Sequence, residues 1–269
     1  MNRVYLVASE NMAAKVKEAV EAAAAAGLKV IVYKPVVNGA SAAAQIKGDN
    51  TAVLMETIAA DFLKQDFDSV DLVVVEGASG MSALCAQAYN EALATALDSK
   101  IYSDGEDADL FCPKRLLRTP KDIADDLAVP AAERKTSQAM FRAGLLLKAS
   151  KAAKRIVLPE GNEPRTVQAA VLAVERNIAV PVLVGAKAEI EATAKAVGVT
   201  LPANIEIIEP SEALAEKYVP TLVELRKSKG MTEEQARVAL KDNVTLATMM
   251  LKMGEVDGLV SGAIHSTAD

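Results

Sequence analysis

The chain has no tryptophan, and its five tyrosines and four phenylalanines bring the aromatic share to 3%. So few rings leave no stacking platform for nucleic-acid bases. The net charge of −6 argues further against a general nucleic-acid binder, though a local basic cluster can still hold a small anion. Two cysteines, Cys85 and Cys112, make no disulfide framework and point to a reducing, cytoplasmic setting. With a single histidine they make no zinc spacing either. The opening MNRVYLVASENMAAKV has one short apolar run followed by charge, which fits neither a signal peptide nor a membrane span. No GxGxxG and no GxxxxGK[ST] occur. Near the amino terminus Lys15 stands where a P-loop lysine would, but the glycines and the metal-binding hydroxyl are replaced. Glu10 would meet a phosphate with the wrong charge, so no ATP hydrolysis is expected. No Ser-His-Asp order is legible.

What is present is globular. The 269 residues are 51% hydrophobic and 25% charged, enough for one large domain or two ordinary ones. Residues 1–100 alternate strand and helix. Strands are expected at 3–8, 29–33 and 71–75, the last almost pure valine, as suits a strand covered on both faces. Helices are expected at 12–26, ending at Gly27, at 51–65 and at 81–97 after a Gly77-Ala78-Ser79-Gly80 turn. This βαβαβα order implies a parallel sheet. Residues 101–136 break the rhythm with Asp104, Glu106, Asp107, Asp109, Pro120 and Pro130, and read as a linker. A helix with a basic end follows over 137–153.

A second α/β block begins at Arg155. Strands are expected at 156–159, 179–184 and 205–208, with a final buried strand that runs into a glycine turn over 256–262. Asn162 is the expected cap of a helix through Arg176, with Pro164 in its first turn. Helices follow at 187–196, 213–229, 233–241 with a Thr232–Gln235 capping box, and 243–253. The fold class is therefore α/β: two three-layer α/β/α blocks with mainly parallel sheets.

Three segments offer chemistry. The turn Glu160-Gly161-Asn162-Glu163-Pro164-Arg165 joins a strand end to a helix start, where backbone N–H groups and Arg165 suit a phosphate. From sequence shape alone, an ordinary βα turn with a surface arginine is the stronger explanation. Arg226, Lys227 and Lys229 cluster at a helix end, either complementing the helix dipole or clamping a polyanion such as a nucleotide. Ser261-Gly262-Ala263-Ile264-His265-Ser266-Thr267 offers small residues, free backbone donors, hydroxyls and the lone histidine. A lone histidine is more often structural than catalytic.

These segments carry a resemblance. Arg155-Ile156-Val157-Leu158-Pro159-Glu160-Gly161-Asn162-Glu163-Pro164-Arg165-Thr166, the stretch from Tyr218-Val219-Pro220 to Lys229-Gly230-Met231-Thr232, and Gly254-Glu255-Val256-Asp257-Gly258-Leu259-Val260-Ser261-Gly262-Ala263 with His265, Thr267 and Ala268 follow in order. Together they resemble the catalytic domain of the phosphate acetyltransferases from about Lys154 to Asp269. Val4–Ala8 in sequence, Val32-Tyr33-Lys34-Pro35 and Val73-Val74-Val75-Glu76-Gly77 look like a shortened form of the dethiobiotin-synthetase-like region of the long bacterial enzymes.

The resemblance implies three divisions: a degenerate P-loop region over 1–100, a linker over 101–136, and over 137–269 the amino-terminal half of a phosphate acyltransferase domain of the isocitrate/isopropylmalate dehydrogenase kind. It implies reversible acetyl transfer, acetyl-CoA plus phosphate giving acetyl phosphate plus CoA, with CoA as substrate and no cofactor or metal. Arg226, Arg165, Ser261, Gly262, His265 and Thr267 would line the CoA and phosphate side. The family's catalytic aspartate, serine and arginine lie in the other half of its domain, so no catalytic residue is expected within these 269, and the chain alone would be inactive. The family implies a homo-oligomer, with no nucleic-acid or membrane partner. Two alternatives stand beside this: a non-catalytic CoA-binding or subunit-interaction protein, and a phosphate butyryltransferase.

Overall fold

A computed structural model describes residues 3–37, 39–45, 50–67, 69–78, 83–104 and 116–264. The chain forms two compact units, Met1–Leu147 and Lys148–Asp269.

In the first unit the strands are β1 (Arg3–Val7), β2 (Val30–Tyr33), β5 (Leu72–Glu76), β6 (Lys100–Tyr102) and β7 (Leu116–Leu117), with a small hairpin, β3 (Val36–Val37) and β4 (Ala40–Ser41). Helices α1 (Met12–Ala25), α2 (Thr51–Lys64), α3 (Ala83–Ala96) and α4 (Pro120–Ala128) connect them. The sheet order is β2-β5-β1-β6-β7, and every pairing in it is parallel. Successive side chains of a strand point to opposite faces. Val4 and Leu6 accordingly pack on one face with Val73, Val75 and Ile58, while Tyr5 and Val7 pack on the other with Leu72, Val74 and Ala19. Each such fully buried aliphatic or aromatic side chain contributes about 1.5–3 kcal/mol.

The expected linker over 101–136 differs from what forms. β6, β7 and α4 join the first unit, and the division between units falls after Leu147 rather than at 136. Strands of three and two residues are too short to show a period. α4 does carry a start signal: Thr119 accepts from the Asp122 N–H, Asp122 accepts from the Thr119 N–H, and Pro120 takes the first helical position. Ser79 and Gly80 of the expected turn, with Glu106, Asp107, Asp109 and Cys112, lie outside the described residues. Helix α5 (Gln138–Ala152) carries the chain over the division at 147.

The second unit holds β8 (Arg155–Leu158), α6 (Pro164–Glu175), β9 (Val180–Val184), α7 (Lys187–Ala196), β10 (Glu206–Ile208), α8 (Glu212–Leu225), α9 (Glu233–Ala239), α10 (Asn243–Lys252) and β11 (Gly258–Leu259). The order is β10-β9-β8-β11, parallel throughout. Val157, Val182 and Val184 face α8, α9 and α10 through Tyr218, Ala236 and Met250; Leu183 faces α6 and α7 through Val167 and Ile190. Both sheets are thus covered on both faces.

Three expectations are corrected here. α6 is capped by Glu163, whose carboxylate accepts from the Thr166 N–H, and not by Asn162. Pro164 holds the first helical position, so the cap is the residue directly before it. The helix expected to reach Lys229 ends at Leu225; Lys227–Lys229 tighten into a 3₁₀ turn closed by Gly230 at φ 70°. In the segment 256–262, expected as a strand running into a glycine turn, the strand is only two residues long. Val260 still donates to the Val157 carbonyl at 3.1 Å, but beyond it the backbone N–H groups leave the ladder for a side chain.

Candidate functional site

That side chain is Glu160. It stands just past the carboxyl end of β8 and is 5% exposed. Its Oε2 accepts from the Gly262 N–H at 3.0 Å and the Ala263 N–H at 2.8 Å; its Oε1 accepts from the Ile264 N–H at 2.8 Å. Three successive amides converging on one carboxylate form an anion nest. Gly262 sits at φ 115°, a region that favours glycine.

The neighbouring turn is fixed by close approach. The Gly161 N–H donates to the Val184 carbonyl at 3.1 Å, and a Cβ on Gly161 would stand 2.5 Å from that oxygen. The Asn162 amide donates to Glu189 at 3.1 Å, and the Asn162 carbonyl accepts from Thr193 at 3.1 Å. The 160–165 turn is therefore tied to β9 and to α7.

Arg165 lies in the first turn of α6. Its Nη2 donates to the Ala263 carbonyl and its Nε to Glu163 Oε1, both at 2.6 Å. Arg165, then the Thr166 N–H, hold the Glu163 carboxyl below the usual carboxylate range. The Arg165 side chain is still 70% exposed. Two turns that the sequence offered separately, 160–165 and 261–264, thus meet at the carboxyl edge of the adjacent strands β8 and β11. Ligands of open α/β sheets sit at that edge.

The backbone donors are less available than expected. Those of Gly262, Ala263 and Ile264 go to Glu160, and the Thr166 N–H goes to Glu163. Ser261 is exposed. His265 and Thr267 lie outside the described residues.

Arg226 is not brought to this cluster. It caps α8, is exposed, and its side chain makes no ion pair or hydrogen bond among the described residues. α8 starts beyond the carboxyl end of β10 and passes Glu255 at Tyr218 and Met253 at Thr221. Met253 and Glu255 lead into β11, so Arg226 caps the helix at the opposite, amino-terminal edge of the sheet. It stands about 12 Å along the axis beyond Tyr218, at 1.5 Å per residue.

Glu160 is the residue whose role the sequence hid. The available signal was an acid beside a glycine at a strand end, in a chain that elsewhere offers a turn of small residues. Among the described residues no group of three or more His, Cys, Asp or Glu could hold a metal ion, and no helix is long and apolar enough to cross a membrane.

The profile of the phosphate acetyl/butaryl transferase family matches residues 140–269. The phosphate acetyltransferase of Escherichia coli (strain K12) is 58% identical over 136 residues, covering 51% of this chain and 19% of that protein. The phosphate acetyltransferase of Deinococcus radiodurans is 49% identical over 167 residues, covering 58% of this chain and 24% of that protein. A phosphotransacetylase structure from Streptococcus pyogenes is 36% identical with a TM-score of 0.46, covering 49% of this chain and 40% of that one. The chain spans about a fifth of the length of the curated relatives it matches. Residues 140–269, which include the Glu160 nest and the Arg165 clasp, are thus the part of the chain that matches the phosphate acetyl/butaryl transferase family.

Proposed function

We propose that the second unit supplies the CoA- and phosphate-facing part of a phosphate acetyltransferase, which interconverts acetyl-CoA plus phosphate with acetyl phosphate plus CoA. In the forward direction a phosphate oxygen attacks the thioester carbonyl carbon. The carbon–oxygen bond forms, the carbon–sulfur bond breaks, and the CoA thiolate takes up the proton that the hydrogen phosphate loses. Two anionic partners repel each other, so cations that hold both lower the barrier by positioning.

The observation that carries this reading is the joining of the 160–165 and 261–264 turns through Arg165 and Glu160. It builds a fixed polar edge beside an exposed serine and a half-free guanidinium. Ser261 and Gly262 line the approach with the outward face of Arg165; His265 and Thr267 belong to the same stretch of sequence. Arg226, at the other edge of the sheet, would serve this reading only by meeting the far, phosphate-bearing end of an elongated ligand such as CoA. CoA is a substrate here and not a resident cofactor. A cysteine-poor sequence suits a cytoplasmic setting for this chemistry.

The experiment is calorimetry with CoA on the 269-residue chain, paired with an acetyl-phosphate-dependent thioester assay. Because the matched stretch is a fifth of the relatives' length, the expected result is CoA binding without turnover. Absence of CoA binding overturns the reading.

A further inference from the structure

The large apolar side chains at the 261–264 turn do not anchor it, and only the small Ala263 is half-buried there. Val260 is 61% exposed and Ile264 65% exposed, and Gly262 has no side chain. Electrostatics hold the turn instead. Its N–H side is bonded to the Glu160 carboxylate and its Ala263 carbonyl to the Arg165 guanidinium. Hydrogen bonds to an ionised group are short and about twice as strong as neutral ones. The Gly161 N–H, bonded to the Val184 carbonyl at 3.1 Å, ties the backbone next to Glu160 to β9.

We infer that Glu160 is a positioning residue, the resident anion of the 262–264 nest. Its carboxylate sets the turn in the form that meets ligand and keeps inorganic phosphate out of those three N–H groups. A substrate anion then meets the turn through Ser261 and the cationic side chains, not through the nest. The link to ligand rests on the function proposed above; the occupancy of the nest does not.

Amide hydrogen exchange on the full 269-residue chain reads the nest directly. In Glu160→Ala the amides of Gly262, Ala263 and Ile264 exchange about tenfold to a hundredfold faster than in the wild type. The amides of Val157 and Val182, in the core strands, stay protected. Formate restores slow exchange in Glu160→Ala by refilling the nest, and inorganic phosphate does so too. Phosphate changes nothing at these amides in the wild type. Glu160→Gln, which keeps one acceptor oxygen, gives intermediate protection and carries the test if the alanine variant does not fold. Unchanged protection in a folded Glu160→Ala, or protection in the wild type that rises with phosphate, overturns the inference. Calorimetry with CoA on the same proteins separates the two claims: a wild type with Glu160-dependent protection and no CoA binding sinks the proposed function and leaves the nest standing.

Discussion

The Tyr218 hydroxyl donates to the Glu255 carboxylate across 2.8 Å, joining the middle of α8 to the residue that leads into β11. Lys217 stands 2.8 Å from the other carboxylate oxygen. Burial alone would raise the Glu255 pKa, but Lys217 and Tyr218 outweigh it and hold the carboxyl below its ordinary value. A carboxyl depressed in the folded state adds stability above its unfolded pKa and loses it as pH falls through the folded one. The second unit should therefore lose stability below about pH 5, where unfolded glutamate begins to bind protons. Glu255→Gln should flatten that acid-side loss. Urea midpoints at pH 7 and pH 4 compare the two proteins, and an equal drop in both refutes the assignment.

Gly161→Ala tests the close approach to β9. The new Cβ would lie 2.5 Å from the Val184 carbonyl oxygen and 3.0 Å from its nitrogen, both backbone atoms that cannot swing aside. The strain expected is about 1–3 kcal/mol. Denaturant titration followed by circular dichroism measures it, and a neutral substitution would mean that the turn relaxes without cost.

In the first unit the buried Asn90 accepts from the Ala78 N–H at 2.8 Å. Asn90→Ala orphans that donor beside Gly77 and should cost about 1–3 kcal/mol. Asn90→Asp keeps an acceptor there and should keep the Ala78 amide protected from exchange. Rapid exchange of that amide in both variants would disprove the acceptor role.

Arg226→Ala should weaken CoA binding by about tenfold to a hundredfold, the range for a lost charge-assisted hydrogen bond. Thermal stability should hardly change, because the side chain is exposed and unpaired among the described residues. Unaltered binding would reduce Arg226 to a cation at a helix end.

The strands with the clearest sequence signal are those buried on both faces: the valines of β5, and Val182 to Val184 in β9, announce themselves as continuous apolar runs. β6 and β7 stay hidden because three and two residues make no pattern, although Thr119-Pro120 and Asp122 did mark α4. Pro164 signalled the start of α6, yet the cap fell on Glu163, since a proline at the first helical position leaves the residue before it to do the capping. Arg165 and Gly262 could be picked out as polar turn residues, but not that they would meet: the Glu160 to Gly262 bond spans 102 residues and follows no local rule. The place of Arg226 depends on the direction of α8 across the sheet, which sequence spacing does not encode.

The partners of Glu160 lie 102 to 104 residues downstream of it. On the ribosome, at about 5–20 residues per second, roughly five to twenty seconds separate the synthesis of the carboxylate from that of its last amide. Through that interval the three amides of the 262–264 turn are not yet there for Glu160 to accept from. The edge between β8 and β11 therefore closes late, after β8 and β9 can already pair. Conditions that stall the docking of β11 leave a unit with most of its core and an open, charged seam.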